Sequence, residues 1–422
     1  MNQKDDLVTL LRVAMSLEAL TIPPYLTAYW SIKDSPTTND NQEAKKIIHS
    51  VAMEEMLHMM SVGNILASLG ACPLYYNKCN TLDKWGEDKL PILDFPVDLA
   101  PFSVKQIEKF LEIEKPIKPI NLPISSRDSA LMQVRTSDVD LIKKIMELFD
   151  FLQKNTGLID GKINKIANDI LAKYELESIF KAIDMILKGN LEAILELKLF
   201  FIKCFSFIPN EDIILNDESL KTELDKCKSI GEFYNLLIKE LRKLDDKDFK
   251  ESDFSQLDLS HDPRVGTIQQ RTIPSFIVDS KEKAIGLLKW VVDQGEGSEV
   301  PMDNDGDLAH YYRFQQITKG MKIKSNKNGD FFFDENESFV VNEAYVHKFG
   351  ANDYRLFDMD SGGLQENFSS SYFTMFKELQ SFYLTGNRRY IMQSFDYMMK
   401  MSTNAELLMD KGTCPSFSFK NQ

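Results

Sequence analysis

The sequence predicts an all-α protein built on a four-helix bundle, with a helical insertion and additional C-terminal helices. Three observations predict it. Two long N-terminal segments, 5–32 and 43–69, repeat apolar residues at helical spacing. Isolated acids and two acid-x-x-His pairs fall inside apolar helical stretches, where a charge is costly without a strong partner. Strand-like alternation is confined to a short stretch near 321–342.

In the first segment Leu7, Leu10, Leu11, Ala14, Leu17, Glu18, Ile22 and Tyr25 share a helical period, and Pro23-Pro24 should kink or interrupt it. DSPTTNDNQ (34–42) is turn chemistry, and Gly70 and Pro73 end the second helix. From Cys72 to about Pro119 the chain reads mostly as loop, with one helix near Val104–Ile113 after Ser103 as N-cap. Residues 136–204 are periodic in Ile, Leu and Lys and should be helical. Further helices are expected at 229–243, at Lys281 to about Gln294 capped by Asp279-Ser280, at 307–320, near 369–385 and at 388–409. A short hairpin is expected within 321–342. The bundle would then comprise 5–32, 43–69, 229–243 and 281–318, the last broken near 295–306. The chain divides into 1–119 (first half of the bundle and its following loop), 120–228 (helical insertion), 229–320 (second half) and 321–422 (a β/loop segment and C-terminal helices).

The chain has 422 residues, 43% hydrophobic and 27% charged, with formal charge −14. Such acidity argues against nucleic acid as a partner. The start, MNQKDDLVTLLRVAMS, lacks the basic opening and cleavage site of a secretory signal, and no run of about twenty uncharged apolar residues suggests a membrane span. Five widely spaced cysteines without a CxxC read as free thiols. A cytoplasmic protein with no membrane partner is expected.

The chemistry concentrates in HSVAMEEMLHMMSVGNILASLG. On a helix, Glu55 and His58 lie one turn apart on one face, and the surrounding residues are apolar nearly all the way round. A metal ion suits such a buried pair. Di-metal carboxylate sites in four-helix bundles take one Glu from each of two helices and a Glu-x-x-His pair from each of the other two. Glu18, the one acid in VAMSLEALTIPPYL, is the first single acid; a salt bridge or a helix-edge position is its alternative. Glu232 is the second, although first-turn acids are also favoured by the helix dipole. Asp307-x-x-His310 is the second pair, with Asp307 one methylene short and Glu296 an alternative ligand. His49, His261 and His347 have no comparable partner. Tyr25, Tyr29, Trp30, Tyr311 and Tyr312 lie near candidate ligands in sequence; they either pack the core or gate a substrate. Met53, Met56, Met59 and Met60 read as core filling or a plastic pocket. Arg313 would bind a substrate carboxylate or a supporting acid.

With these residues in place, the chain resembles the ferritin-like domain of the iminophenyl-pyruvate dimer synthase family, whose members couple imino acids in violacein, rebeccamycin and staurosporine assembly. The matching stretches are LEALTIPPYLTAYWSI (17–32), SVAMEEMLHMMSVGNILASLGACP (50–73), FPVDLAPFSVKQIEKFLEIEKP (95–116), SIGEFYNLL (229–237), KAIGLLKWVVDQGEG (283–297), HYYRFQQI (310–317), FSSSYFTMFKELQSFYLTG (368–386) and GTCPSF (412–417). No match is recognised between about 120 and 228. The resemblance implies a ferritin-like bundle with metal at Glu18, Glu55, His58, Glu232 and His310, and with Glu296 or Asp307 completing the set. It implies iron, as a di-iron centre, with manganese or another divalent cation as the alternative. The implied activity is a metal-dependent oxidoreductase of secondary metabolism, using dioxygen or peroxide on a small amino-acid-derived imine or aromatic substrate. The alternatives are a non-catalytic ferritin-like metal-binding protein and a helical interaction protein. A homo-oligomer is compatible with either.

Overall fold

Long helices dominate because apolar residues recur along them and serine or aspartate caps stand at several of their starts. The computed structural model describes residues 3–75, 80–118, 215, 217–249, 252–259, 276–295, 301–303, 306–325, 331–353 and 363–417. All of them belong to one unit, 1–75 with 80–131 and 215–422; the second unit, 76–79 with 132–214, lies outside the described residues. So do the helices expected over 136–204, Glu296 and His261.

α1 (Gln3–Ser31) and α2 (Asp40–Ser68) pack along their lengths. α5 (Ile230–Arg242) lies on α1, α6 (Lys281–Gln294) lies on both α5 and α2, and these four close a ring. Leu10, Leu11, Ala14, Leu17, Val51, Val62, Phe233, Leu237, Leu287 and Val291 are buried in this ring. Burying side chains of this size stabilises by roughly 1.5–3 kcal/mol each before entropy is counted. Ser229 Oγ accepts from the Glu232 amide at the start of α5, and Ser280 Oγ from the Lys283 amide at the start of α6.

α1 runs through Pro23 and Pro24 as one helix rather than breaking there. Each proline removes one backbone donor, but Leu20, Ile22, Tyr25 and Leu26 around them are all buried. Tertiary packing therefore holds what local propensity would interrupt. By length and composition Lys4–Ser31 would also pass for a membrane-crossing helix, yet 78% of its apolar window is buried inside the protein. It is one of the four helices of the ring.

α3 (Val104–Ile113), capped by Ser103, and α7 (His310–Lys319) pack together, and α7 also touches α2. Tyr25, Phe110 and Phe314 interlock there with ring centroids 4.6–5.4 Å apart. The expected helix at 307–320 begins only at His310, and it is not continuous with α6. α4 (Glu218–Leu224) precedes α5. β1 (Met321–Ser325) and β2 (Phe331–Ser338) form the expected antiparallel pair, with Lys322 opposite Asp334 and Ser325 opposite Phe331. α8 (Leu364–Thr385) and α9 (Arg389–Asp410) form a helical hairpin, with α9 against α1. Where this hairpin meets α1, Trp30 stacks on Phe417 and Phe368 packs edge-on to both. Cys72, Cys227 and Cys414 are free thiols.

Candidate metal centre

Glu18, at mid-α1, meets Glu55 and His58 of α2 in the interior of the ring; each is about 1% exposed. Helical spacing puts Glu55 and His58 on one face, and the α1–α2 contact supplies Glu18. Glu18 Oε2 is 3.7 Å and Glu55 Oε1 is 3.5 Å from His58 Nδ1. On the other side of Glu55, His310 enters from the first residue of α7 and Glu114 from the residue that ends α3. His310 Nδ1 is 2.9 Å from Glu55 Oε1 and 3.3 Å from Glu114 Oε2. Both triads, Glu18–Glu55–His58 and Glu55–Glu114–His310, are fully buried, and each offers ligand atoms within 4.8 Å of one another. Glu55 belongs to both.

The surroundings hold these donors in place. Tyr234 Oη, from α5, donates to Glu18 Oε1, and Tyr25 Oη donates to Glu114 Oε1. Thr21 Oγ1 lies 3.1 Å from Glu55 Oε2. His58 Nε2 faces Gln294 Oε1 at 3.2 Å, and His310 Nε2 faces Glu54 Oε2 at 2.8 Å. Arg313 Nη1 donates to Glu54 Oε1 at 2.9 Å. Trp290 packs edge-on to His58, and the two imidazoles lie nearly parallel with centroids 5.4 Å apart.

These residues fit a pair of metal ions. Each imidazole turns Nε2 outward to an acceptor, which places the proton there, and turns Nδ1 inward towards carboxylate oxygen. In the neutral ring that inward lone pair would oppose anionic oxygen unless a cation lay between them. Glu55 Oε1 is buried between the two Nδ1 atoms, 2.9 Å from that of His310 and 3.5 Å from that of His58, and these approaches are ion pairs only when the rings carry a second proton. Two cations would take the place of those protons and satisfy the oxygen together with both nitrogens. Outward-facing acceptors on ligand histidines are the usual arrangement around a bound metal.

Without metal, protons compensate instead. Burial, and then the negative charge of Glu55, push Glu18 up to about 8. Burial and Glu55 likewise raise Glu114. Burial also opposes the charge of Glu55, but the adjacent His310 and His58 overcome it and hold Glu55 well below the ordinary carboxylate range. Burial works against charging His58 too, yet Glu18 and Glu55 lift it to about 10; Glu114, Glu54 and Glu55 lift His310 well above its usual value.

Of the residues picked from sequence, Glu18, Glu55, His58 and His310 come together here. Glu232 stands elsewhere: its Oε2 accepts from the Lys228 amide at 2.6 Å, so it caps its own helix as a first-turn acid. Asp307 precedes α7, so the one-turn spacing to His310 does not apply. Its amide and carbonyl pair with Asp303 in a turn. Sequence reasoning missed Glu114, Glu54, Gln294 and Tyr234. Glu114 had a readable signal, since it continues the Ile107–Phe110 stripe of α3 at the next helical step. Of the aromatic residues, Tyr25 touches a candidate ligand, whereas Tyr311 and Tyr312 pack with Ala309 in a buried cluster.

No curated protein matches the sequence. A crystal structure of a ferritin-like protein from Caulobacter vibrioides aligns with a TM-score of 0.51 and 17% identity, covering 98% of this chain and 98% of that one. At that identity the likeness speaks for the fold, which it shares over nearly the whole length. A ferritin-like family profile matches residues 11–192 and 208–319, well over half of the chain and inclusive of all five convergent donors; the chain belongs to the ferritin-like family.

Proposed function

We propose that this protein is a di-metal oxidoreductase, with iron as the favoured metal, acting on a small amino-acid-derived imine or aromatic substrate. The observation that carries the metal reading is Glu55, whose Oε1 lies between two inward-facing imidazole nitrogens while a further carboxylate closes each side. The narrower part, an imine-coupling type of reaction, is supported by the ordered resemblance of segments 17–32, 50–73, 95–116, 229–237, 283–297, 310–317, 368–386 and 412–417 to the iminophenyl-pyruvate dimer synthase family.

Bound iron would supply redox chemistry and a place for dioxygen or peroxide to bind. The chain's own residues set the conditions. Glu55 would bridge, Glu18 and Glu114 would terminate the two positions, and His58 and His310 would each give a neutral nitrogen. Tyr234 and Tyr25 hold the terminal carboxylates so that one oxygen of each stays directed inward. Complete burial keeps bulk water away, which strengthens every charge interaction inside. The backbone turns past the two imidazoles at Gly295, where a Cβ would lie 3.9 Å from His58 Cε1 and 4.0 Å from His310 Nδ1. A longer side chain there would enter the centre.

The test is metal analysis of protein loaded anaerobically with iron(II), followed by oxygen uptake with and without candidate aromatic imines. About two equivalents of metal and substrate-stimulated uptake are expected. Less than half an equivalent, with no oxygen consumed, would sink the proposal.

A further inference from the structure

The two halves of the centre are supported differently. Behind His310 stands a carboxylate: Glu54 Oε2 lies 2.8 Å from Nε2. Glu54 is fully buried, and Arg313 Nη1 holds its other oxygen at 2.9 Å. Arg313 is itself fixed by the Leu308 carbonyl and by Ser50 Oγ. Behind His58 stands a neutral amide, Gln294 Oε1, at a longer 3.2 Å. A histidine whose outer N–H is given to a carboxylate is a more basic metal ligand than one bonded to an amide.

A second, independent difference points the same way. Donors on the His310 side are drawn closer, at 2.9 Å (Glu55) and 3.3 Å (Glu114) from Nδ1. On the His58 side the corresponding separations are 3.5 Å (Glu55) and 3.7 Å (Glu18). The His310 position is thus both the more electron-rich and the more tightly gathered.

We propose that the two metal positions are unequal: the Glu55–Glu114–His310 position binds first and holds its ion, whereas the Glu55–Glu18–His58 position fills second and exchanges. Glu54 and Gln294 are the positioning residues that set the difference. Arg313 holds Glu54 in place. The inference rests on the di-metal reading above, but concerns only the order and strength of binding, not turnover.

Stepwise calorimetric titration of the metal-free full-length chain with manganese(II), repeated anaerobically with iron(II), tests it. Two steps differing by at least about tenfold are expected, because changing the partner of a ligand histidine shifts metal affinity by roughly 10–100-fold. Glu114→Gln should remove the tight step and Glu18→Gln the weak one. Glu54→Gln should weaken the tight step by about 10–100-fold. If Glu54→Gln unfolds by circular dichroism, Gln294→Glu serves instead, and it should tighten the weak step and narrow the gap. Equal steps in the wild type, or a tight step lost in Glu18→Gln and kept in Glu114→Gln, would overturn the inequality while leaving a di-metal protein. Absence of any binding would overturn the di-metal reading and this inference with it.

Discussion

The hydroxyl of Tyr234, on α5, donates to Oε1 of Glu18 at the middle of α1, and so ties the far side of the four-helix ring to the centre. Tyr25 does the same for Glu114 on the other side. Removing either hydroxyl strips a buried carboxylate of a donor, a loss of about 1–3 kcal/mol. Tyr234→Phe and Tyr25→Phe should each lower the denaturation free energy of the metal-free protein by that amount. In the metal-loaded protein, Tyr234→Phe should impair the step that Glu18→Gln impairs, and Tyr25→Phe the step that Glu114→Gln impairs. Urea unfolding and metal titration of the two variants check this.

Glu55 is shared, and the other donors are not. Glu55→Gln should therefore reduce bound metal to near zero, whereas Glu18→Gln should leave about one equivalent. Helicity should survive in both, because the substitutions keep side-chain size. Elemental analysis beside far-ultraviolet circular dichroism reads the result; equal metal content in the two variants would contradict a bridging role.

Stability should depend on pH with a definite sign. Glu18 rises from 4.5 to about 8 and His58 from 6.5 to about 10 in the folded, metal-free chain. A group with a raised folded pKa stabilises fully below its unfolded value and loses that contribution as pH climbs to the folded one. The metal-free protein should thus melt lower as pH goes from about 6 to about 9. Glu55, shifted down, acts oppositely and only at the acid end, below its ordinary 4.5. Metal ions replace the protons, so the gain in Tm on adding manganese(II) should grow across the same interval. A gain independent of pH would mean that the ion binds elsewhere.

Gly63 marks a close crossing. A Cβ there would lie 1.8 Å from Tyr75 Oη, and Tyr75 is itself buried against Tyr383. Gly63→Ala should destabilise by about 1–3 kcal/mol through overpacking, although alanine favours helix. Thermal melts of Gly63→Ala and of Gly286→Ala, where nothing lies within 4 Å of the added carbon, separate crowding from propensity.

The parts of the centre legible in the sequence were those where a charge interrupts an apolar helix. Glu18 in α1, and Glu55 with His58 in α2, are such cases. Glu114 continues the Ile107–Phe110 stripe, but Glu112 and Lys115 beside it mask that signal, and its burial beside Tyr25 and His310 is a tertiary feature. Glu232 resembled a ligand because an acid in a first helical turn looks the same whether it caps or coordinates. Asp307 reads as the partner of His310 only in a helix that starts before it; Ala309 is the N-cap residue, so the spacing does not hold. Glu54 was hidden by its neighbour, since nothing local says which of two adjacent acids faces which partner. The proline pair in α1 shows the converse, a local signal overruled by packing.

The positions of the donors along the chain set the order in which the centre can be assembled during synthesis. Glu18, Glu55 and His58 leave the ribosome together on the first two helices, and Glu114 follows soon after. His310 lies 196 residues beyond Glu114 in the chain. One triad is therefore encoded entirely in α1 and α2, while the other waits for His310. A nascent or truncated chain ending before α7 would carry a half-built centre with no histidine opposite Glu114.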